Sequence, residues 1–304
     1  MDCGSPGPSP THPKSRAAAS HPFTLQRFNW NNEPGEFAVG VPIYYGDERK
    51  RKNNLKRLDA SLALLAAANP GATFLLLDDG SPAPVDVDHF SPILGNVAWA
   101  YARQENRGAG GAYHALQVAL SPCRYVANLD ADVELDDPLA LQHAAEGFDA
   151  NPDAVIISSN ITYFARMWFA QNPDGGRWVS GANSADFRLY KSILLGEVGY
   201  VDPEIRRLED GEFRLRMEAL HGLKVYVDRL ITGKATPGMT DAARAEENVP
   251  MVLSRSPWAQ ATRRRDGRFL SLRLRAKARE QNWQDRYVGP APYALALRDA
   301  LWEA

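Results

Sequence analysis

Residues 125–138 read YVANLDADVELDDP, an apolar run followed by five carboxylates within eight residues, Asp130 to Asp137. The run reads as a β-strand. In a strand, residues two apart point to the same side. Asp130 and Asp132 would then share one rim at the strand's C-terminal end, where open α/β sheets bind ligands. Like charges this close repel. A hard divalent cation would offset the repulsion and leave positions for phosphate oxygens. A plainer reading is an acidic turn leading into a helix, with Asp136 or Asp137 as its N-cap. That reading covers Asp136, Asp137 and Glu134, and Asp130 and Asp132 are assigned to the metal.

Moving outward, the same strand-then-helix rhythm recurs. EFAVGVPIYY is a strand of small and β-branched residues stopped by Pro42, and the helix after it carries Leu55, Leu58, Leu62 and Leu65 at helical spacing. ATFLLLDDGSP is an apolar strand ending in a turn at Asp78-Asp79-Gly80-Ser81. VAWAYARQ then leads through ENRGAGG into the helix AYHALQVALS, and DPLALQHAAEGF and AVIISS add a further helix and strand. This alternation from residue 37 to about 160 predicts an α/β fold with a mainly parallel, doubly wound sheet. Residues 1–35, rich in Pro, Ser and Asn, are expected to be a disordered leader. Residues 246–304 are expected to form a basic, mainly helical extension.

Composition is that of an ordinary globular protein, and a net charge of −2 points to no nucleic-acid partner. The two cysteines, Cys3 and Cys123, form neither a disulfide framework nor a zinc spacing. No apolar run is long enough to cross a bilayer, and Pro and Ser stand where a signal peptide needs an apolar segment. A cytoplasmic protein is the expectation. The glycines of ENRGAGGAYHAL begin like a dinucleotide fingerprint, but the third glycine position is Tyr113 and the motif does not follow the first strand. A glycine-rich turn capping a helix near phosphate is the milder reading. No G-x-x-x-x-G-K-[ST] is present, so a P-loop is excluded.

Taken in order, VGVPIYYGDERKRKNNLKRLDASL, LLLDDGSP, ENRGAGGAYHAL, ANLDADVEL and LEDGEFRLR resemble family 2 glycosyltransferases over about residues 37–235. The resemblance implies a GT-A fold, a nucleotide-sugar donor (UDP-, GDP- or dTDP-linked), Mn²⁺ or Mg²⁺, and inversion at the anomeric centre. It places Pro42 and Tyr44 at the nucleotide base, Asp79 with Asp78 at the base edge, and Arg103 and Asn106 at nucleotide or phosphate. Asp130-Ala131-Asp132 matches the D-x-D motif, with Asp132 the direct metal ligand and Asp130 nearer the ribose. Glu209-Asp210 matches the ED motif, with Asp210 as catalytic base. The loop holding Gly181, Ala182 and Asn183 would position acceptor and donor sugar.

Arg206, Arg207, Arg214 and Arg216 also lie close enough to Glu209, Asp210 and Glu212 for ordinary helix-surface ion pairs. One departure stands out. All six histidines lie at or before His221, so the histidine ligand that many relatives supply after the ED helix is missing, which leaves metal dependence open. Lys234 occupies that region and could pair with diphosphate. The basic segment from Arg255 to Arg279 either lies on an anionic membrane surface, closes over a phosphorylated ligand, or packs on the domain through Phe269, Leu270, Leu272 and Leu274. In the last case Trp258 and Trp283 would be anchors. Acceptors of several classes fit: carbohydrate, lipid-linked, peptide or small molecule. Two rivals stand beside the transferase: a nucleotidyltransferase acting on a sugar phosphate, and a non-catalytic module that binds carbohydrate or a partner protein.

Overall fold

The computed structural model describes residues 23–161, 163–174, 176–180, 186–235, 242–256, 259–263, 269–274 and 287–303. The chain begins with β1 (Phe23–Phe28), β2 (Phe37–Ile43), α1 (Glu48–Ala68), β3 (Thr73–Asp78), α2 (Ser91–Leu94) and β4 (Ala98–Gln104). It continues through α3 (Gly108–Ala119), β5 (Tyr125–Leu129), β6 (Val133–Leu135), α4 (Ala140–Ala150), β7 (Ala154–Ser159), α5 (Tyr163–Gln171) and β8 (Trp178–Ser180). Then come β9 (Phe187–Lys191), α6 (Ser192–Val198), α7 (Glu209–His221), β10 (Lys224–Asp228), β11 (Gly233–Ala235) and α8 (Ala242–Arg255). A hairpin of β12 (Ala259–Arg263) and β13 (Phe269–Leu274) precedes α9 (Pro292–Trp302).

Nine strands form the main sheet in the order β1-β4-β3-β2-β5-β9-β7-β10-β8. The pairs β4–β3, β3–β2, β2–β5 and β7–β10 are parallel, and β1, β9 and β8 run the other way, so six of the nine strands point in one direction. The sheet is mixed and mainly parallel, as expected. Alternation along its strands feeds two cores. Val39, Val41, Ile43, Phe74 and Leu76 pack with Leu58, Leu62 and Leu65 of α1 and Leu141 and Phe148 of α4. On the opposite face Ala38, Leu75 and Leu77 pack with α3, Phe213 and Met217 of α7, and Leu297 and Leu301 of α9. Every residue of β3 is buried, which explains its unbroken apolar run.

Four expectations are corrected. Pro42 does not stop the first core strand but lies inside β2. Ile43 accepts from Asp79 N–H on the β3 side, so Pro42 faces β5, whose pairing ends at Gly40, and its missing N–H breaks no ladder bond. The leader is not disordered throughout: Phe23–Phe28 form an edge strand antiparallel to β4, with Phe28 stacked on Trp99 at 4.0 Å. The carboxylates Asp130 and Asp132 stand in the turn after β5 rather than in the strand, closed by Val133 N–H to the Asp130 carbonyl at 3.1 Å. Finally, the basic segment holds an antiparallel hairpin, β12 and β13, where helix was expected. Trp258 and Trp283 lie outside the described residues.

The last helix belongs to the core. His114, fully buried in α3, donates from Nδ1 to the Val201 carbonyl at 2.7 Å and accepts at Nε2 from Ala291 N–H at 2.9 Å, at the start of α9. Only the neutral ring can do both. Burial holds its pKa below the ordinary histidine value. A lowered folded pKa means that the stability is present above the unfolded value and lost as pH falls through it. Within the pH dependence that acid titration and denaturation record, the His114 part should be a decline below about pH 6.5, by up to about 1.4 kcal/mol per pH unit. His114→Gln should flatten that decline.

Candidate active site

The sequence stretches quoted above converge on one cleft of about 810 Å³ at the C-terminal edge of the parallel strands. Its lining includes Pro42 and Tyr44 from the end of β2, Asp79 after β3, and Asn106 before α3. Asp130 and Asp132 come from the turn after β5, and Glu209 and Asp210 from the first turn of α7. Five segments scattered over about 170 residues of chain thus line one cleft. Tyr44 keeps 53% of its surface exposed, an aromatic face available to a flat ring.

Asp78 and Arg103, expected at the nucleotide, do not line the cleft. Asp78 is fully buried and accepts from Ser81 N–H (2.8 Å), Tyr101 Oη (3.0 Å) and Arg103 Nη1 (2.5 Å). Together they build the turn that presents Asp79. Asp79 itself accepts from Gln104 Nε2 and from the N–H groups of Arg107 and Gly108, at 2.8–2.9 Å. It therefore anchors the glycine-rich start of α3 as well as facing the cleft. Lys234 is also absent from the lining; it stands opposite Glu134 across the β6–β11 pair, with Nζ 3.8 Å from the carboxylate. Gly181, Ala182 and Asn183 lie outside the described residues.

The glycines of α3 serve close approach. A Cβ on Gly110 would fall 2.1 Å from the Ile205 carbonyl oxygen, and Gly108, at φ +76°, sits against Arg206. This contact seats the segment that carries Arg206, Arg207 and the ED pair beside the D-x-D turn. Gly110→Ala should cost about 1–3 kcal/mol through overpacking. Chemical denaturation checks this, with Gly196→Ala, which meets nothing within 4 Å, as the neutral comparison. Leu208, just before Glu209, holds a left-handed φ of 68°, a strained conformation for a branched side chain and one that recurs at functional sites.

Of the arginines near the ED motif, Arg216 pairs with Glu212 at 3.1 Å, buried rather than on the helix surface, and Arg214 lies 3.9 Å from Glu218, outside the expected carboxylate set. Arg206 and Arg207 line the cleft instead. Arg206 also bonds the Asn106 carbonyl and side chain.

Three groups escaped the sequence reading. Tyr113, weighed only as a missing glycine, donates its hydroxyl to Asp130. Asp186 stands just before β9 and Arg188 within it, and the antiparallel register of β9 places Arg188 opposite Asn128 and Phe187 opposite Leu129. No local motif marks them, because only strand pairing brings them under the D-x-D turn.

Burial raises the carboxyl pKa values of Asp130, Asp132 and Asp186, the last to about 6. The charge of Asp132 adds to the shift at Asp130 and Asp186, while Arg188 opposes it at both. Glu209 is pushed up to about 8 by burial and by Asp210 beside it. Among the described residues no three His, Cys, Asp or Glu side chains are already gathered as a metal site. The donor set nonetheless suits a hard cation. It is all oxygen, its members repel one another, and Asp186 Oδ2 is buried without a hydrogen-bond partner.

A mainly parallel α/β sheet with a turn of carboxylates and a nucleotide-sized cleft at its strand ends defines the GT-A class of sugar transferases. The chain belongs to glycosyl transferase family 2, whose model matches residues 41–200, just over half of the 304. Among solved structures, the mannosyltransferase PcManGT from Pyrobaculum calidifontis, in complex with GDP-Man and Mn²⁺, superposes with a TM-score of 0.55 at 17% identity, covering 92% of this chain and 77% of that one. TarS 1–349 from S. aureus gives 0.48 at 16% identity, covering 72% of this chain and 64% of that one. Glucosyl-3-phosphoglycerate synthase from Mycobacterium tuberculosis gives 0.45 at 16%, with 77% and 86% covered. The chain spans 64% of that TarS fragment and 39% of the longer TarS structure. No curated protein sequence matches. Among the described residues no helix is long and apolar enough to cross a membrane.

Proposed function

We propose that the cleft transfers a sugar from a nucleoside diphosphate sugar to an acceptor hydroxyl, with inversion and with Asp210 as base. The observation that carries this reading is the convergence of Tyr44, Asp79, the D-x-D turn and the ED pair on one cavity. Tyr44 and Pro42 would pack on the nucleobase and Asp79 would read its edge, while Asp130 lies toward the ribose. Asp132 with Asp186 would hold Mn²⁺ or Mg²⁺, and the ion, when bound, stabilises negative charge on the leaving diphosphate. Arg206 and Arg207 on the facing wall add positive charge on the same side.

Displacement requires that the acceptor oxygen attack the anomeric carbon as the bond to the diphosphate oxygen breaks. The electron pair of that bond leaves on the diphosphate, and the acceptor proton passes to a carboxylate. One displacement from the face opposite the leaving group inverts the centre. Burial and the charge of Asp210 beside it favour the neutral form of the Glu209 carboxyl. The base role then falls to Asp210, which is partly exposed in the cleft, with Oδ1 accepting from Gly211 N–H at 2.7 Å.

Release of nucleoside diphosphate from UDP-, GDP- and dTDP-sugars, with Mn²⁺ and with EDTA, tests the reading. Metal-stimulated release from one donor class is expected. No release from any donor, with Mn²⁺ or Mg²⁺ and a mixed panel of sugar, lipid and peptide acceptors, would overturn it.

A further inference from the structure

Arg188 is 1% exposed, yet it lacks the bonds of an ordinary buried ion pair. Elsewhere in the chain buried guanidinium partners are met closely: Arg216 bonds Glu212 at 3.1 Å and the Tyr200 carbonyl at 2.6 Å. Arg177 grips both oxygens of Asp228 at 2.8–3.0 Å. Arg188 instead has Nη2 3.8 Å from Asp130, its guanidinium 4.5 Å from the centre of the Tyr113 ring, and Nε and Nη2 without hydrogen bonds. Its neighbour across the β5–β9 pair, Asn128, is fully buried and likewise unbonded. A buried cation with so few bonds is costly unless the surrounding charge holds it.

That charge is present on every side. Arg188 interacts electrostatically with Asp130 and Asp210, and it opposes the repulsion felt by Asp186 and Glu209. Its charge thus reaches both the donor-side carboxylates of the D-x-D turn and the base-side pair on α7. Among the described residues, Arg206 and Arg207 line the cleft and are exposed on its wall, whereas Arg188 is buried.

We propose that Arg188 is an internal counter-cation for the carboxylate floor, a positioning residue that supplies part of the positive charge a bound divalent ion would otherwise provide. The inference rests on the donor-site reading above. With Arg188 in place the floor stays assembled before the metal arrives. Without it, assembly depends on the metal.

The test compares the wild-type chain with Arg188→Met and Arg188→Lys, by melting temperature in EDTA and in Mn²⁺, and by calorimetric Mn²⁺ affinity. Arg188→Met should melt well below wild type in EDTA and recover most of that loss in Mn²⁺. Its Mn²⁺ affinity should rise by about tenfold or more, because a nearby positive charge has gone. Arg188→Lys should stay near wild type in both. An equal loss with and without Mn²⁺ at unchanged affinity would overturn the proposal, and so would a lysine variant that behaves like the methionine one.

If Arg188→Met fails to fold, the double variant Arg188→Met/Asp186→Asn removes one negative charge as well. Recovery of folded protein in EDTA would support the counter-cation, and continued failure would refute it. This arm needs no metal. A wild-type chain blind to Mn²⁺ and to nucleotides would sink the donor-site reading, while the double variant still decides the role of Arg188.

Discussion

Asp210→Asn is expected to lower kcat by about 10²–10⁴, the usual worth of a positioned general base. Nucleoside diphosphate affinity should stay nearly unchanged. The amide keeps the size of the carboxyl and can still accept from Gly211 N–H, so the first turn of α7 is undisturbed. What it cannot do is take the acceptor proton. Glu209 is a poor replacement, because it is buried, and burial with the neighbouring charge favours its neutral form. Steady-state kinetics with a binding isotherm separates the two quantities. Equal losses in turnover and in nucleotide affinity would remove Asp210 from the base role and make it a binding or structural residue.

The second large effect falls on the donor side. Asp132→Ala should weaken Mn²⁺ binding by about 10–100-fold, at least as much as the loss of a residue supporting a metal ligand. Stabilisation by nucleoside diphosphate should fall with it. The ligand-free fold should be no less stable, and even slightly more so, because a carboxylate destabilised by burial and set against Asp186 has been removed. Active sites commonly trade stability for function in this way. Calorimetry for the metal and melting curves for the apo chain measure both sides. Unchanged metal and nucleotide affinity in the variant would show that Asp132 does not hold the ion.

Much of this was legible in sequence where the information is local. The apolar run of β3, the helical leucines of α1 and the order of five short motifs determine which strands are buried and where the carboxylates stand. The turn after β5 shifted the geometry of Asp130 and Asp132 without moving them from the cleft, because strand end and turn face the same rim. The two adjacent aspartates are equivalent on paper. Only the fold shows that Asp78 is engaged by Ser81, Tyr101 and Arg103, while the buried Asp79 lines the cleft.

Long-range pairing hid the rest. Asp186 and Arg188 reach the site through antiparallel register with a strand about 60 residues earlier, and nothing in DFRLYK announces it. The edge strand Phe23–Phe28 was missed for the same reason, and helix α9, which lies in the extension expected to be mainly helical, could not be docked on the core from sequence. Each is short, and each is stabilised by a distant partner: Trp99 stacks on Phe28, and the Ala119 carbonyl accepts from Trp302 Nε1 at 2.7 Å. The glycines of ENRGAGG, read as a turn capping a helix near phosphate, also let the Asp202–Arg206 segment approach within backbone contact, which no local motif reveals.

The most direct measurement of the central claim is the melting temperature of the full chain with UDP, GDP, dTDP and CDP, each in Mn²⁺ and in EDTA. A ligand that binds only the folded state raises the melting point by mass action. The donor-site account predicts a rise with one of these diphosphates in Mn²⁺ and a smaller rise, or none, in EDTA. No rise with any of the four, in either condition, would contradict it and leave the cleft as a binding surface for something other than a nucleotide sugar.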